Sequence, residues 1–168
     1  MIKNQGIFND DVLNKHIDKY FSHKKININE KINIIKMWKK SINTSSLKYT
    51  KEKHIQGKFI YDFMVKVLDY KDIIGNDNWS IIQEKSTNLD GTTPDAVIGF
   101  YSNLNREDTR CIIELKDILT DIDKRQINRK DKKTPQQQAF EYTSKFEGKC
   151  KWVIISNFRE IRLYNSLL

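Results

Sequence analysis

Cysteine is scarce in this chain: two among 168 residues, Cys111 and Cys150, far apart and set in apolar runs. That argues against a disulfide framework and predicts two reduced core thiols. Histidine is nearly as sparse. His16, His23 and His54 are scattered, and neither they nor the cysteines show zinc-ligand spacing. No apolar run approaches the length of a membrane span. The opening "MIKNQGIFNDD" lacks the apolar centre of a signal peptide. Internal repeats and low-complexity tracts are absent as well. The expectation is a protein of the cytoplasm, off the membrane.

The chain is rich in charge. Charged residues make up 31% and hydrophobic residues 38%, the balance of a globular protein rather than a disordered one. Its net charge of +8 favours an acidic partner, nucleic acid or an anionic surface. The abundance of Lys, Asn and Ile is also what a coding bias would produce. A chain of this length suits one domain with an appended segment, and buries about two thirds of its unfolded surface.

The first half reads helical. "NDDVLNKHIDKYF" places Val12, Leu13, Ile17, Tyr20 and Phe21 at helical spacing after an acidic cap at Asn9 to Asp11. "INEKINIIKMWKKSI" repeats the pattern with Ile28, Ile32, Ile35 and Trp38. In "SSLKYTKEKHIQGKFIYDFMVKVLDY", Ile55, Phe59, Phe63, Val67 and Leu68 form one predicted apolar stripe. Residues 1–45 are expected to be a helical segment packed on or leading into a core of residues 46–168.

The second half reads as strands: "WSIIQEKS", the turn "NLDGTTP", "DAVIGFYS", "TRCIIELKD", "CKWVIIS" and "EIRLYNSLL". One helix interrupts them. Thr134 is its N-cap, Pro135 its first position and Gly148 its stop. The predicted class is α/β (α+β), a central mixed sheet flanked by helices. Trp38, Trp79 and Trp152 sit in apolar patterns and are expected in the core. The stretch from Asp117 to Lys133 reads as a polar loop carrying Lys124, Arg125, Arg129, Lys130, Lys132 and Lys133; its place between the strand "TRCIIELKD" and the capped helix points to contacts with an acidic substrate, and a solvated loop is the alternative.

The chemistry concentrates in "CIIELKD". Strand alternation puts Cys111, Ile113 and Leu115 on one face, and Ile112, Glu114 and Lys116 on the other. A carboxylate and an ammonium inside an apolar strand are costly unless they pair or serve a metal. A plain Glu–Lys ion pair at an exposed strand end is the alternative. Asp95 opens the preceding strand, nineteen residues before Glu114. Carboxylates on adjacent strands suit Mg²⁺, a hard cation that takes oxygen ligands and keeps waters. A lysine beside them can orient a water or stabilise charge on an attacked phosphate.

"PDAVIGF…CIIELKD" resembles the PD-(D/E)xK nuclease superfamily, with Asp95 in the PD position and Glu114 and Lys116 as the (D/E)xK pair. "TPQQQAFEYTSKFE" is similar to the Gln-x-x-x-Tyr helix of some of these nucleases, at Gln138 and Tyr142. "TKEKHIQGKFIYDFMVKVLDY" resembles their first core helix, with Glu52 as a glutamate that can reach the metal and Gln56 one turn on. The combination, over roughly residues 50 to 165, most resembles the N-terminal nuclease domain of type IIG restriction–modification enzymes. The resemblance implies a restriction-endonuclease-like core that hydrolyses double-stranded DNA. It implies Asp95, Glu114 and Glu52 as ligands of Mg²⁺, with Mn²⁺ as a substitute, and Lys116 and Gln138 as catalytic residues. Glu84 is a lesser candidate near the site. A transient homodimer on DNA would serve to cut both strands.

The chain has no Gly-rich cofactor loop or methyltransferase motif and ends at Leu168. A stand-alone protein is one reading; the favoured expectation is a domain cut from a longer protein, whose C-terminal methyltransferase and recognition region would use S-adenosylmethionine. A DNA-binding or assembly module that keeps the fold without cleaving is the alternative reading, as is a repair or junction nuclease.

Overall fold

Asn9 starts the first helix with its side chain, which accepts the N–H groups of Asp11 (2.9 Å) and Val12 (3.3 Å). The computed structural model describes residues 9–23, 26–44, 47, 49–104, 106–126, 132–146 and 149–167. Helix α1 spans Asp10–His23. Helix α2 spans Ile28–Asn43 and is capped by Asn27, which accepts the Glu30 N–H at 3.2 Å.

The core-facing side of α2 keeps Trp38 of the predicted stripe but not its three isoleucines. Ile28, Ile32 and Ile35 stay 40–45% exposed, while Ile34, Trp38 and Ile42 pack inward. The helix carries two apolar stripes, and the buried one holds the tryptophan whose indole N–H finds a buried acceptor. Trp38 donates to Asp62 at 2.9 Å.

Asp62 belongs to an unusual helix. Helix α3 spans Glu52–Ile60 and continues as a π-helix over Tyr61–Val67. The wider turn bonds residues five apart, as in Leu68 N–H to Phe63 O at 2.9 Å. Apolar spacing lengthens with it: Phe59 and Met64, five residues apart, are both fully buried, and Leu68 is 51% exposed. The predicted stripe thus holds at Phe59 and fails at its far end. Burial alone would raise the Asp62 carboxyl, but hydrogen bonds from Lys58 (2.6 Å) and Trp38 hold it below its usual range. Lys31 caps the π-helix, donating to Val67 O at 2.6 Å, and pairs with Asp69 at 2.6 Å. Asp69 also accepts the Tyr20 hydroxyl at 2.6 Å, so α1 and α2 are tied to the same turn.

The sheet has five strands in the order β1-β2-β3-β4-β5. They are β1 (Asn78–Gln83), β2 (Ala96–Ser102), β3 (Glu107–Leu115), β4 (Trp152–Ser156) and β5 (Ile161–Asn165). The β3–β4 pair is parallel and the other pairs are antiparallel, giving a mixed sheet of the α+β class. Helix α4, Pro135–Thr143, makes the crossover between the parallel strands. Thr134 and Gln137 close the capping box, and Pro135 follows the cap as predicted. The helix ends at Thr143, and Gly148 lies outside the described residues.

Each sheet face has its own core. Cys111, Ile113 and Leu115 pack with Trp38, Phe59 and Met64; Val97, Ile112, Val153 and Ile155 pack with Ala139 of α4. Both cysteines are free and buried, and burial pushes the Cys150 thiol up to about 12. Trp79 and Trp152 are half-buried against these clusters. The stretch after β3 is less polar in effect than its composition, because Ile118 and Ile122 are buried. Among the described residues, no helix is long and apolar enough to cross a membrane.

The sheet register shifts twice, between Trp79 and Ile81 where β1 meets β2 and between Ile98 and Gly99 where β2 meets β3. Ile98 pairs with Cys111 but Gly99 with Thr109, so Arg110 is an extra residue in β3. Thr109 thereby reaches the Tyr101 hydroxyl at 2.9 Å, on the α4 side. The backbones approach so closely that a Cβ on Gly99 would sit 2.2 Å from the Asp108 carbonyl oxygen. Gly99→Ala is expected to cost about 1–3 kcal/mol, read by urea unfolding, as overpacking does. An unchanged midpoint would show that the bulge relaxes freely.

Candidate active site

Two strand ends and two helices meet at one corner of the sheet. Ala96 pairs with Ile113, so the antiparallel register, carried one residue further, sets Asp95 across from Glu114. Asp95 stands just before β2 and bonds with its side chain. Its Oδ2 accepts the Leu115 N–H at 2.6 Å, and its Oδ1 accepts Gln56 Nε2 at 3.2 Å. Burial raises the Asp95 carboxyl, against the opposing pull of the Leu115 amide and the Lys116 charge.

Glu114 and Lys116 share a face, as alternation requires. Lys116 lies just beyond β3, and its N–H extends the parallel pairing by donating to Ser156 O at 2.8 Å. Its Nζ is 2.6 Å from Glu114 Oε1. The two residues are only 4% and 9% exposed, which rules out a solvated pair at a strand's frayed end. Gln138, on α4, uses both ends of its amide. Its Oε1 accepts Lys116 Nζ at 3.0 Å, and its Nε2 donates to Glu114 Oε1 at 2.7 Å. The three side chains close a ring. Tyr142 stands one helical turn further on, half-buried, its hydroxyl raised by burial and then by the Glu114 charge.

The first turn of α3 completes the corner. Gln56 is buried against Asp95. Glu52 donates its backbone N–H to Asp117 Oδ1 at 3.3 Å. Its carboxyl is pushed up to about 7, first by burial, then by the negative charge of Asp95, with Asp117 and Glu114 adding and Lys116 opposing. Asp117 was not singled out in the sequence, though it directly follows Lys116 in "ELKD". Glu84 does not lie on a strand: β1 stops at Gln83, and Glu84 is exposed with φ of 50°. A β-strand cannot hold that backbone angle. Its N–H still bonds Asp95 O at 3.0 Å, and its charge raises the Asp95 carboxyl.

Among the described residues, no three of His, Cys, Asp or Glu stand close enough to form a ready-made cage for a metal. A zinc-type closed site is therefore a poor fit. A magnesium-type site needs only one or two carboxylates and keeps its waters. Burial first, and then the negative charge of Asp95, keep Glu52 protonated up to about neutral pH, and a cation at this corner would relieve the second of these.

The basic stretch reaches this corner through Gln126. That residue's N–H donates to Lys133 O at 3.1 Å, and its side chain to Gln138 Oε1 at 3.4 Å. Lys124 is exposed and pairs with Asp121 at 3.0 Å; Lys133 pairs with Glu141 at 2.5 Å. Arg125 and Lys132 are exposed, and Arg129 and Lys130 lie outside the described residues. The structure thus anchors the base of this stretch beside the site.

The raised Glu52 carboxyl sets a pH dependence with a definite sign. The folded state holds the proton more tightly than the unfolded chain, so Glu52 weakens the fold as pH rises from about 4.5 to about 7. Glu52→Gln is expected to raise the melting temperature above that of the native protein at pH 7.5. The gain should vanish towards pH 4.5. A gain independent of pH would mean that Glu52 titrates normally.

No protein-family profile, no curated protein and no solved structure matches the chain.

Proposed function

We propose that the chain is a metal-dependent DNA endonuclease domain of the PD-(D/E)xK type, the cleavage part of a type IIG-like restriction–modification enzyme working in the cytoplasm. The observation that carries this reading is the buried ring of Glu114, Lys116 and Gln138 with Asp95 held across from Glu114. A fold does not need a buried ion pair for stability, since apolar residues of similar volume serve as well or better. A nuclease needs these groups together.

Asp95 and Glu114, with Glu52 beside them, would hold Mg²⁺ or Mn²⁺. The cation would polarise a phosphodiester and lower the pKa of a bound water. Lys116 keeps its ammonium where charge grows on the attacked phosphate. Gln138 fixes the direction of that ammonium through its carbonyl oxygen. Double-stranded DNA is the substrate of this reading. A homodimer formed on DNA would cut both strands. S-adenosylmethionine enters this reading only if a methyltransferase domain follows in a full-length protein.

A DNA-binding module that does not cleave is the second reading, favoured by the lack, among the described residues, of three potential ligands already gathered. Calorimetric titration with Mn²⁺ separates the two, since the silent module needs no metal.

Lys116→Ala is expected to lower Mg²⁺-dependent nicking of supercoiled plasmid by about a hundredfold or more. Circular dichroism of the variant checks that it is folded. Equal cleavage by the folded variant and the native protein would overturn the assignment. Replacing Lys124, Arg125, Lys130 and Lys132 together is expected to weaken binding to all duplex sequences alike and flatten its salt dependence. An unchanged salt slope would remove that stretch from the interface.

A further inference from the structure

The hairpin formed by β2 and β3 carries a feature that the catalytic corner does not use. Phe100 is 53% exposed, on a strand whose neighbouring residues Ile98 and Tyr101 are buried. Its side chain is on the face of Ile98, opposite to that of Tyr101, and beyond the residues that α2 and α3 cover. Two guanidinium groups flank the ring. Arg106 lies 5.0 Å from its centroid and Arg110 5.9 Å. Asp108 holds Arg110 in a two-pronged ion pair at 2.8 and 2.9 Å. Arg106 makes no ion pair among the described residues. Lys151 is exposed, and its N–H donates to Arg110 O at 3.3 Å. The patch is therefore a flat aromatic surface with an excess of positive charge.

We propose that Phe100, flanked by Arg106 and Arg110, is a stacking platform for an unpaired nucleobase, and that the DNA this domain takes carries a single-stranded segment beside its duplex. The inference rests on the endonuclease reading above and narrows its substrate class. A paired base hides both of its faces, so a lone exposed ring gains little from a blunt duplex. An unpaired base offers a face to the ring, while its phosphate meets the guanidinium groups. Charge decides between occupants: an apolar protein surface would have to bury these cations, whereas a nucleotide brings the phosphate that matches them. Phe100 stands five residues from Asp95, about 17 Å at the rise of a strand, on the sheet face opposite that of Glu114 and Lys116, so the unpaired segment would be held apart from the scissile duplex.

The test is fluorescence anisotropy in EDTA, where cleavage plays no part. It compares a blunt duplex with the same duplex bearing an unpaired thymine arm. The native chain is expected to bind the armed duplex about tenfold more tightly. Phe100→Leu keeps an apolar side chain but loses the ring; it should bind both DNAs equally, with its affinity for the blunt duplex unchanged. Three results would each overturn the platform: no preference in the native protein, the same preference in Phe100→Leu, or self-association in sedimentation that Phe100→Leu abolishes. Plasmid nicking that depends on Lys116 is read separately, so the endonuclease can stand while the platform falls, and the reverse.

Discussion

The corner that gathers Asp95, Glu114 and Lys116 depends on one hydrogen bond, the Leu115 amide to the Asp95 carboxylate. Main-chain pairing between β2 and β3 runs only as far as Ala96. Beyond that point the strands are free to splay, and Asp95 closes them with a side chain in place of backbone. The bond does two jobs. It satisfies a donor at the strand end, and it turns the carboxylate inward across from Glu114. The second oxygen is held by Gln56, so the group is fixed from both the sheet and α3. Asp95, Glu114 and Lys116 are each oriented by partners that are themselves buried or in regular structure.

The helical layer supplies the opposing constraint. Glu52 and Gln56 reach the corner only because α3 is seated firmly, and the seat is the buried Asp62. Its carboxylate joins the indole of α2 to two lysines of the α3 region, inside the one stretch of π-helix. The wide turn brings Met64 inward beneath Phe59, so the lower half of the helix packs at its own pitch without turning the upper half away from the site. At the other edge, Lys145 reaches from the end of α4 to Asp90 and Thr92, in the turn that leads to Asp95. Gln138 and Asp95 are thus tied through a second route.

Much of this was legible beforehand, and the limits have physical causes. Strand alternation correctly placed Glu114 and Lys116 together, and the Thr-Pro cap located α4, because both are local rules of backbone geometry. Asp117 was missed because a carboxylate after a strand looks like an ordinary turn residue; only the fold brings it to Glu52. The stripe on α2 was misjudged at its isoleucines because two apolar stripes compete on that helix, and tertiary contact with Asp62 chooses between them. The π-helix was invisible to a reading based on a fixed period, and it spoils that reading at Leu68. The bulge at Gly99 likewise breaks a period of two that holds from Cys111 to Lys116.

That bulge has a consequence for how the molecule can change. The extra residue, Arg110, puts the two halves of the β2–β3 hairpin out of phase. The half that carries Asp95 and Glu114 keeps its facing whatever is presented at the other end. The outer half can therefore be lengthened, shortened or given new side chains with no change in the face that Glu114 and Lys116 occupy. A single glycine separates the part of the hairpin whose facing orients the buried ring from the part whose length is free to vary.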